Sequence, residues 1–215
     1  LIANCGAAVA PIFNSFDFVD EVIIKENVTT DCPIPCAYHM PQMSLSYLLQ
    51  HWQPLEVEKY VFIEEKMALP GNKFKIGIIW KGNPRSENDP TRSISVNWFR
   101  QLFDKNTQVY SLHNSENSHI DEIIDLKDNI NDFQDLAEAV NAMDLIVTVD
   151  TALLHLAGAM NKPVWAAIPY VPDWRWGLNR EETVWYPSVR LFRQEYPGDW
   201  DSVFERIKSQ LQHLR

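Results

Sequence analysis

Four short stretches hold the side chains best suited to gripping a charged or sugar-like ligand. Lys81-Gly82-Asn83-Pro84 joins a cation, a glycine that permits close backbone approach, and an amide that can donate or accept. The same residues make a plain turn equally well. Residues 111–116 offer Ser, His, Asn, Ser and Glu, which could read a ribose or base, although a solvated loop is the commoner use. Asp150-Thr151 are two good N-capping residues, and His155 lies one helical turn beyond Thr151 on the same face. With Leu153, Leu154 and Leu156 around it, His155 is either a core histidine bonded to backbone or a ligand contact. Its place one turn above the capping pair favours the ligand. Residues 169–176 (PYVPDWRW) are stiffened by two prolines. Tyr and Trp faces there can stack on sugars or bases, Asp173 can accept, and Arg175 can hold a phosphate through two parallel bonds. Aromatics packing a domain interface is the competing reading for Trp174 and its neighbours.

Other chemistries lack their residues. There is no G-x-G-x-x-G after a strand and no G-x-x-x-x-G-K, so neither dinucleotide redox nor P-loop ATPase work is supported. No H-E-x-x-H and no carboxylate cluster suggests a metal. Cys32 and Cys36 flank a rigid Pro-Ile-Pro, but zinc needs four ligands and the chain has three cysteines, so ordinary free thiols are the better reading. The balance of 19 basic against 29 acidic residues gives a net charge of −10, with no basic block, which argues against a nucleic-acid groove.

The elements that must position these residues are legible from the apolar pattern. Residues 145–149 (LIVTV) form a buried strand, 152–160 an alanine-rich helix stopped before Pro163, and 164–168 the next strand. The capping pair thus sits at the carboxyl end of a strand and the amino end of a helix. Unpaired N–H groups and a partial positive charge there favour a phosphate. Further strands are expected at 74–80, 109–112, 123–126 and 189–193. Helices are expected at 95–103, 133–143 and 200–214, with a mobile polar loop at 85–92. Strands alternating with helices define an α/β chain with a doubly wound parallel sheet.

Before this regular part, residues 1–16 read as the end of a helix packed on a sheet. Residues 18–25 read as a turn into a strand, 27–36 as a loop, 42–53 as a helix and 59–63 as a strand. Pro70-Gly71-Asn72 marks the clearest linker. The domains are therefore read as 1–70, the tail of an amino-terminal α/β domain truncated at its start, and 71–215, the ligand-binding domain. Hydrophobic residues at 46% make the chain globular, and the absence of a spanning apolar run or visible signal peptide points to the cytoplasm.

Asp150-Thr-Ala-Leu-Leu-His155-Leu-Ala-Gly-Ala159, followed by Lys162-Pro163, resembles the donor-site motif of glycosyltransferase family 9. These are the ADP-heptose:lipopolysaccharide heptosyltransferases of the GT-B fold. The chain is more similar to a bacterial branch often found carboxyl-terminal to tetratricopeptide repeats. That likeness rests on K-I-G-I-I-W-K-G-N-P (75–84), R-S-I (92–94) and P-Y-V-P-D-W-R-W (169–176). W-Y-P-S-V-R-L-F-R-Q (185–194) and P-G-D-W (197–200) extend it, and residues 39–45 and 18–24 look like the tail of the amino-terminal domain.

The resemblance implies a GT-B-like pair of Rossmann-like domains, the carboxyl-terminal one binding a nucleotide-diphospho-sugar without metal or other cofactor. Transfer would go to a hydroxyl of a glycan or protein acceptor, by displacement at the anomeric carbon with a general base from the amino-terminal domain activating that hydroxyl. Asp150, Thr151, Ala152 and His155 would contact the donor, together with Lys81, Gly82, Asn83, Asp173, Trp174 and Arg175. Arg92 falls near a lysine that the family sets against the diphosphate, where it could balance leaving-group charge. Ala152 departs from the family's usual glycine, although the repeat-linked branch tolerates alanine. The family's catalytic base lies near the start of its amino-terminal domain, and no residue here matches it. Tetratricopeptide repeats elsewhere in a longer protein, and a peripheral position at the inner membrane, are further implications. Two alternatives stand beside this reading. One is a non-catalytic nucleotide-sugar or sugar-binding module of a larger interaction protein. The other is a sugar-nucleotide epimerase, for which Asp150 and Asp173 are too few carboxylates.

Overall fold

Strands covered on both faces must be apolar throughout, and β6 (Leu145–Val149) and β7 (Val164–Ile168) are buried along their entire length. They belong to a computed structural model that describes residues 1–27, 38, 50, 59–87, 89–114 and 116–214. The chain divides into two units, Leu1–Val57 and Glu58–Arg215.

In the first unit, β1 (Ile2–Cys5) pairs in parallel with β2 (Glu21–Ile24), in the register Ile2 opposite Glu21. Between them runs the short helix α1 (Ala10–Asn14), whose Ala10 and Ile12 are buried. The chain therefore opens on a strand, where a helix end was expected. Four small or apolar residues carry no period that separates the two. Cys5 is a free thiol. The expected loop with Cys32 and Cys36, the helix at 42–53 and the motif at 39–45 lie outside the described residues.

The second unit is a six-stranded sheet, entirely parallel, built from β3 (Phe74–Ile79), β4 (Thr107–Ser111), β5 (Ile123–Asp125), β6, β7 and β8 (Val189–Arg193). Its strand order is β5-β4-β3-β6-β7-β8. The chain thus starts in the middle, winds outward to β5, then returns to lay β6 beside β3 and winds out the other way. The pleat sends Ile76, Ile78, Val147 and Val149 to one face. There they join Phe99 and residues of α5 (Trp200–His213), with Phe204 edge-on to Phe99 at 5.1 Å. Gly77 faces the other side, where a Cβ would lie 2.8–3.0 Å from Leu112, Ile146 and Met143. α3 (Phe133–Asn141) and α4 (Ala152–Ala159) complete the helices between the strands.

Several elements depart from expectation. The helix expected at 95–103 is a 3-10 helix, Val96–Leu102, capped by Ser95, whose hydroxyl accepts from the Asn97 N–H. Seven residues are too few for apolar spacing to tell three per turn from 3.6. The expected mobile loop at 85–92 contains one helical turn, α2 (Asp89–Arg92), which matters below. Residues 59–63, expected as a strand, join no sheet among the described residues. The N–H groups of Tyr60 and Val61 donate to the Ala159 carbonyl, and Asn141 Nδ2 donates to the carbonyls of Ile63 (3.0 Å) and Glu65 (2.9 Å). Val61 and Ile63 are buried. This segment, placed by the sequence pattern on the amino-terminal side of the linker, is laced to the ends of α3 and α4.

Candidate functional site

In an open parallel sheet the chain leaves neighbouring strands in opposite directions where the winding order reverses, and a crevice opens at their carboxyl ends. Here that point lies between β3 and β6. The loop after β3 carries Lys81, Gly82, Asn83 and α2, and the loop after β6 is Asp150-Thr151.

Arg92, at the end of α2, spans the two loops. Its Nη1 donates to the Asp150 carbonyl at 2.9 Å, and its Nε faces Asp89 Oδ1 at 3.4 Å. The same carboxylate accepts from Ser93 Oγ (2.8 Å), whose oxygen in turn accepts from the Gly82 N–H (2.9 Å). A Cβ on Gly82 would fall 2.6 Å from both Arg92 Nη2 and Asp89 Oδ1. The glycine is therefore needed for this knot of side chains, rather than only for the approach of an external ligand. Lys81 is paired with Glu116 at 2.8 Å, so its charge is met within the protein. Asn83 Oδ1 accepts from the Arg85 N–H in an exposed turn and shapes the loop instead of entering the crevice. Beside them His113 packs on Trp80, ring centroids 5.0 Å apart, and its burial holds the imidazole below its ordinary pKa, with Glu116 opposing.

Across the crevice, Asp150 and Thr151 are almost buried, at 7% and 8% exposure. Thr151 caps α4 with its backbone in the extended conformation, yet its side chain makes no capping bond. Its hydroxyl instead lies 3.3 Å from that of Thr148. The first-turn N–H groups of α4, beginning at the exposed Ala152, thus lack the side-chain acceptor that a capping threonine normally supplies. Asp132 shows the contrast at α3, accepting from Gln134 and Asp135 N–H at 2.8 and 3.0 Å.

His155, one turn up, is wedged among aromatics. Its ring stacks on the fully buried Trp176 with centroids 5.3 Å apart, and Nδ1 lies 2.9 Å from Tyr186 Oη. Burial, followed by the Arg175 charge, pushes its pKa down, while Asp150 and Asp173 oppose that shift. The loop after β7 closes the third side. Asp173 Oδ1 accepts from Arg175 Nε (2.8 Å) and from the Arg175 N–H (3.0 Å), and these bonds hold the carboxyl below its ordinary value against the pull of burial. Trp174 is 71% exposed and stands edge-on to Trp185, whose indole N–H donates to the Arg175 carbonyl. Arg193 at the end of β8 donates to the carbonyls of Gly177 and Arg180 and fixes the loop from below.

The fold therefore gathers Gly82, Arg92, Asp150, Thr151, Ala152, His155, Asp173, Trp174 and Arg175 along one sheet edge. Lys81 is ion-paired with Glu116 and Arg175 with Asp173, both at 2.8 Å, and Asn83 is bonded within its own turn. Sequence reasoning missed Asp89, Ser93 and Tyr186 as parts of the arrangement, and Trp176, one of the aromatics offered for ligand stacking, is instead fully buried against His155. Tyr186 follows His155 by 31 positions, a distance that no local spacing connects. Gly158 was the available clue, since a glycine inside an apolar helix marks a close neighbour. A Cβ there would meet the Tyr186 ring at 2.5 Å.

Comparison with known proteins gives one match whose place lies wholly within this unit. Residues 104–168 match the family model for Glycosyltransferase family 9 (heptosyltransferase). The match takes in β4 to β7 and so includes Asp150, Thr151, Ala152 and His155. It leaves out the loop after β3 and residues 173–175. Protein FlbA of Caulobacter vibrioides is 35% identical over 88 residues, which are 41% of this chain and 14% of FlbA. Among solved structures, ADP-heptose lps heptosyltransferase II of E. coli is similar with a TM-score of 0.48 and 16% identity, over 89% of this chain and 57% of that one. The chain thus spans a little over half of that enzyme and a small part of FlbA.

Proposed function

We propose that the second unit binds a nucleotide-diphospho-sugar at the carboxyl edge of its sheet. The protein then serves as a GT-B glycosyltransferase that delivers the sugar to a glycan or other hydroxyl acceptor without a metal ion. The observation that carries this is the uncapped amino end of α4 at the reversal of strand order, inside the stretch that matches the glycosyltransferase family model. First-turn N–H groups without a side-chain cap, and the helix dipole, suit a diphosphate, although the Leu154 N–H is already met by the Thr151 carbonyl. A carboxylate only accepts, so Asp150 suits sugar or ribose hydroxyls and leaves the phosphates to the helix end and His155. Arg92 adds a positive charge fixed in place by Asp89 and the Asp150 carbonyl, of use to a departing diphosphate. Trp174, Asp173 and Arg175 offer a stacking face, an acceptor and a cation for the sugar or the base.

The setting that goes with this reading is the bacterial cytoplasm, with tetratricopeptide repeats in a longer chain and a peripheral association with the inner membrane. A second reading, a nucleotide-sugar-binding module without transfer activity, is favoured by one fact: the FlbA match occupies only 14% of that protein. Calorimetric titration with ADP-, GDP- and UDP-sugars, with and without magnesium, tests the donor site. Metal-independent binding of one member, weakened about tenfold or more in Asp150→Ala, is expected for loss of a buried acceptor at a ligand. Unchanged affinity in a folded Asp150→Ala, His155→Ala double variant would remove the proposal.

A further inference from the structure

His155 and Tyr186 form a pair whose geometry says more than that both are near the crevice. Tyr186 is buried, and its ring lies so close over Gly158 that no other residue fits there. That contact fixes the phenol, and its oxygen sits 2.9 Å from His155 Nδ1. On the other side the Tyr60 ring stacks on Tyr186, centroids 6.4 Å apart. Trp176 holds the imidazole from its opposite face, ring planes 25° apart. Both His155 and Tyr186 are thus locked in orientation, with one ring nitrogen used and Nε2 left over.

We propose that Tyr186 is a positioning residue that holds His155 in the Nε2–H tautomer, so that Nε2 donates a hydrogen bond to an anionic oxygen of the bound ligand. This rests on the donor-site reading for the identity of the ligand, though not for the tautomer itself. A phenol is a better donor than acceptor and an imidazole nitrogen a better acceptor than a phenol oxygen, so the proton of Tyr186 goes to Nδ1. Because a neutral imidazole carries a single ring proton, accepting at Nδ1 forces that proton onto Nε2. The charged groups that face the ring are Asp150 on its own loop and Asp173 and Arg175 on the loop after β7. A donor at Nε2 complements the helix N–H groups at the start of α4, which are donors as well. Together they would present only hydrogen-bond donors to a phosphate oxygen.

Long-range proton–nitrogen NMR of the whole chain reads the tautomer directly, with the His155 signals assigned by their loss in His155→Asn. The expected spectrum has an unprotonated Nδ1 and a protonated Nε2. Tyr186→Phe removes only the hydroxyl and is expected to give a mixture of both tautomers. Tyr60→Phe leaves the Tyr186 bond in place and is expected to keep one. A protonated Nδ1 in the unmodified chain overturns the inference, as does a single Nε2–H tautomer surviving in Tyr186→Phe. The ligand side is read by titrating ADP, GDP and UDP into His155→Gln, which keeps a donor near the Nε2 position, and into His155→Asn, which mimics Nδ1. Gln is expected to retain affinity within a few-fold, and Asn to lose about tenfold. Equal loss in both overturns the role given to Nε2. If the tautomer is as expected but none of the three nucleotides binds the unmodified chain, the positioning inference stands and the donor-site reading falls.

Discussion

Gly158 lies where the Tyr186 ring crosses α4, and the fit leaves no room for a methyl group. In an ordinary helix Gly→Ala gains about 1 kcal/mol. Here the new Cβ would meet ring carbons at 2.5–2.9 Å, and overpacking of this kind costs about 1–3 kcal/mol. Gly158→Ala is expected to lower the urea midpoint and to displace the Tyr186 hydroxyl from His155, which the imidazole nitrogen shifts would register. Two histidines, His113 buried and His155 half-buried, also set a pH dependence. His113 and His155 are both held below the ordinary 6.5, chiefly by burial. Unfolding restores that value, so below it the unfolded chain binds more protons than the folded one. Their contribution is complete above the unfolded pKa and is lost as pH falls through 6.5 toward the lowered values. The melting temperature should therefore drop as pH falls from neutral, and less steeply in His155→Gln. An identical slope in the two proteins would exclude His155 from the effect.

At the scale of elements, two helix starts with different duties invite comparison. Asp132 spends its side chain on α3, and replacing it with Ala should cost about 1 kcal/mol in denaturant unfolding while leaving nucleotide affinity unchanged. Thr151 spends nothing on α4, so Thr151→Ala should cost less stability yet weaken binding. If both variants moved stability alone, the end of α4 would be an ordinary helix start. Elements were also the most legible part of the sequence. Strands at 145–149, 164–168 and 189–193 were readable to the residue, because Leu145-Ile-Val-Thr-Val149 is a β-branched run closed by a cap, Val164–Ile168 is an apolar run between two prolines, and Val189–Arg193 intersperses apolar residues with arginine. Thr151 stands at the amino end of α4 where the sequence placed it, but that its hydroxyl turns to Thr148 instead of capping was not legible. Harder to read was what depends on contacts far apart in sequence. Arg92 could be picked out by resemblance, but not its bond to the Asp150 carbonyl 58 positions away. Nor does anything local to residues 59–65 show that Asn141 holds them.

For the unit as a whole, that Asn141 side chain is a staple between a strand-less segment and the helical layer. Asn141→Ala removes two hydrogen bonds and should cost about 1–2 kcal/mol. Limited proteolysis would detect it as faster cutting within residues 59–67, and unchanged cutting would mean that burial of Val61 and Ile63 alone holds the segment. The order of the sheet has its own consequence for synthesis. β3 is the first of its six strands to be made, yet its partner β6 is separated from it by 69 positions, as in the bond from the Lys75 N–H to Asp144. At bacterial and eukaryotic elongation rates of about 5–20 residues per second, roughly 3–14 s pass between the two. During that interval β4 can cover only one side of β3, and the other side of FKIGII is an unpaired apolar edge of the kind that recruits foreign strands. The strand that ends at the centre of the finished molecule spends its first seconds as the growing chain's rim.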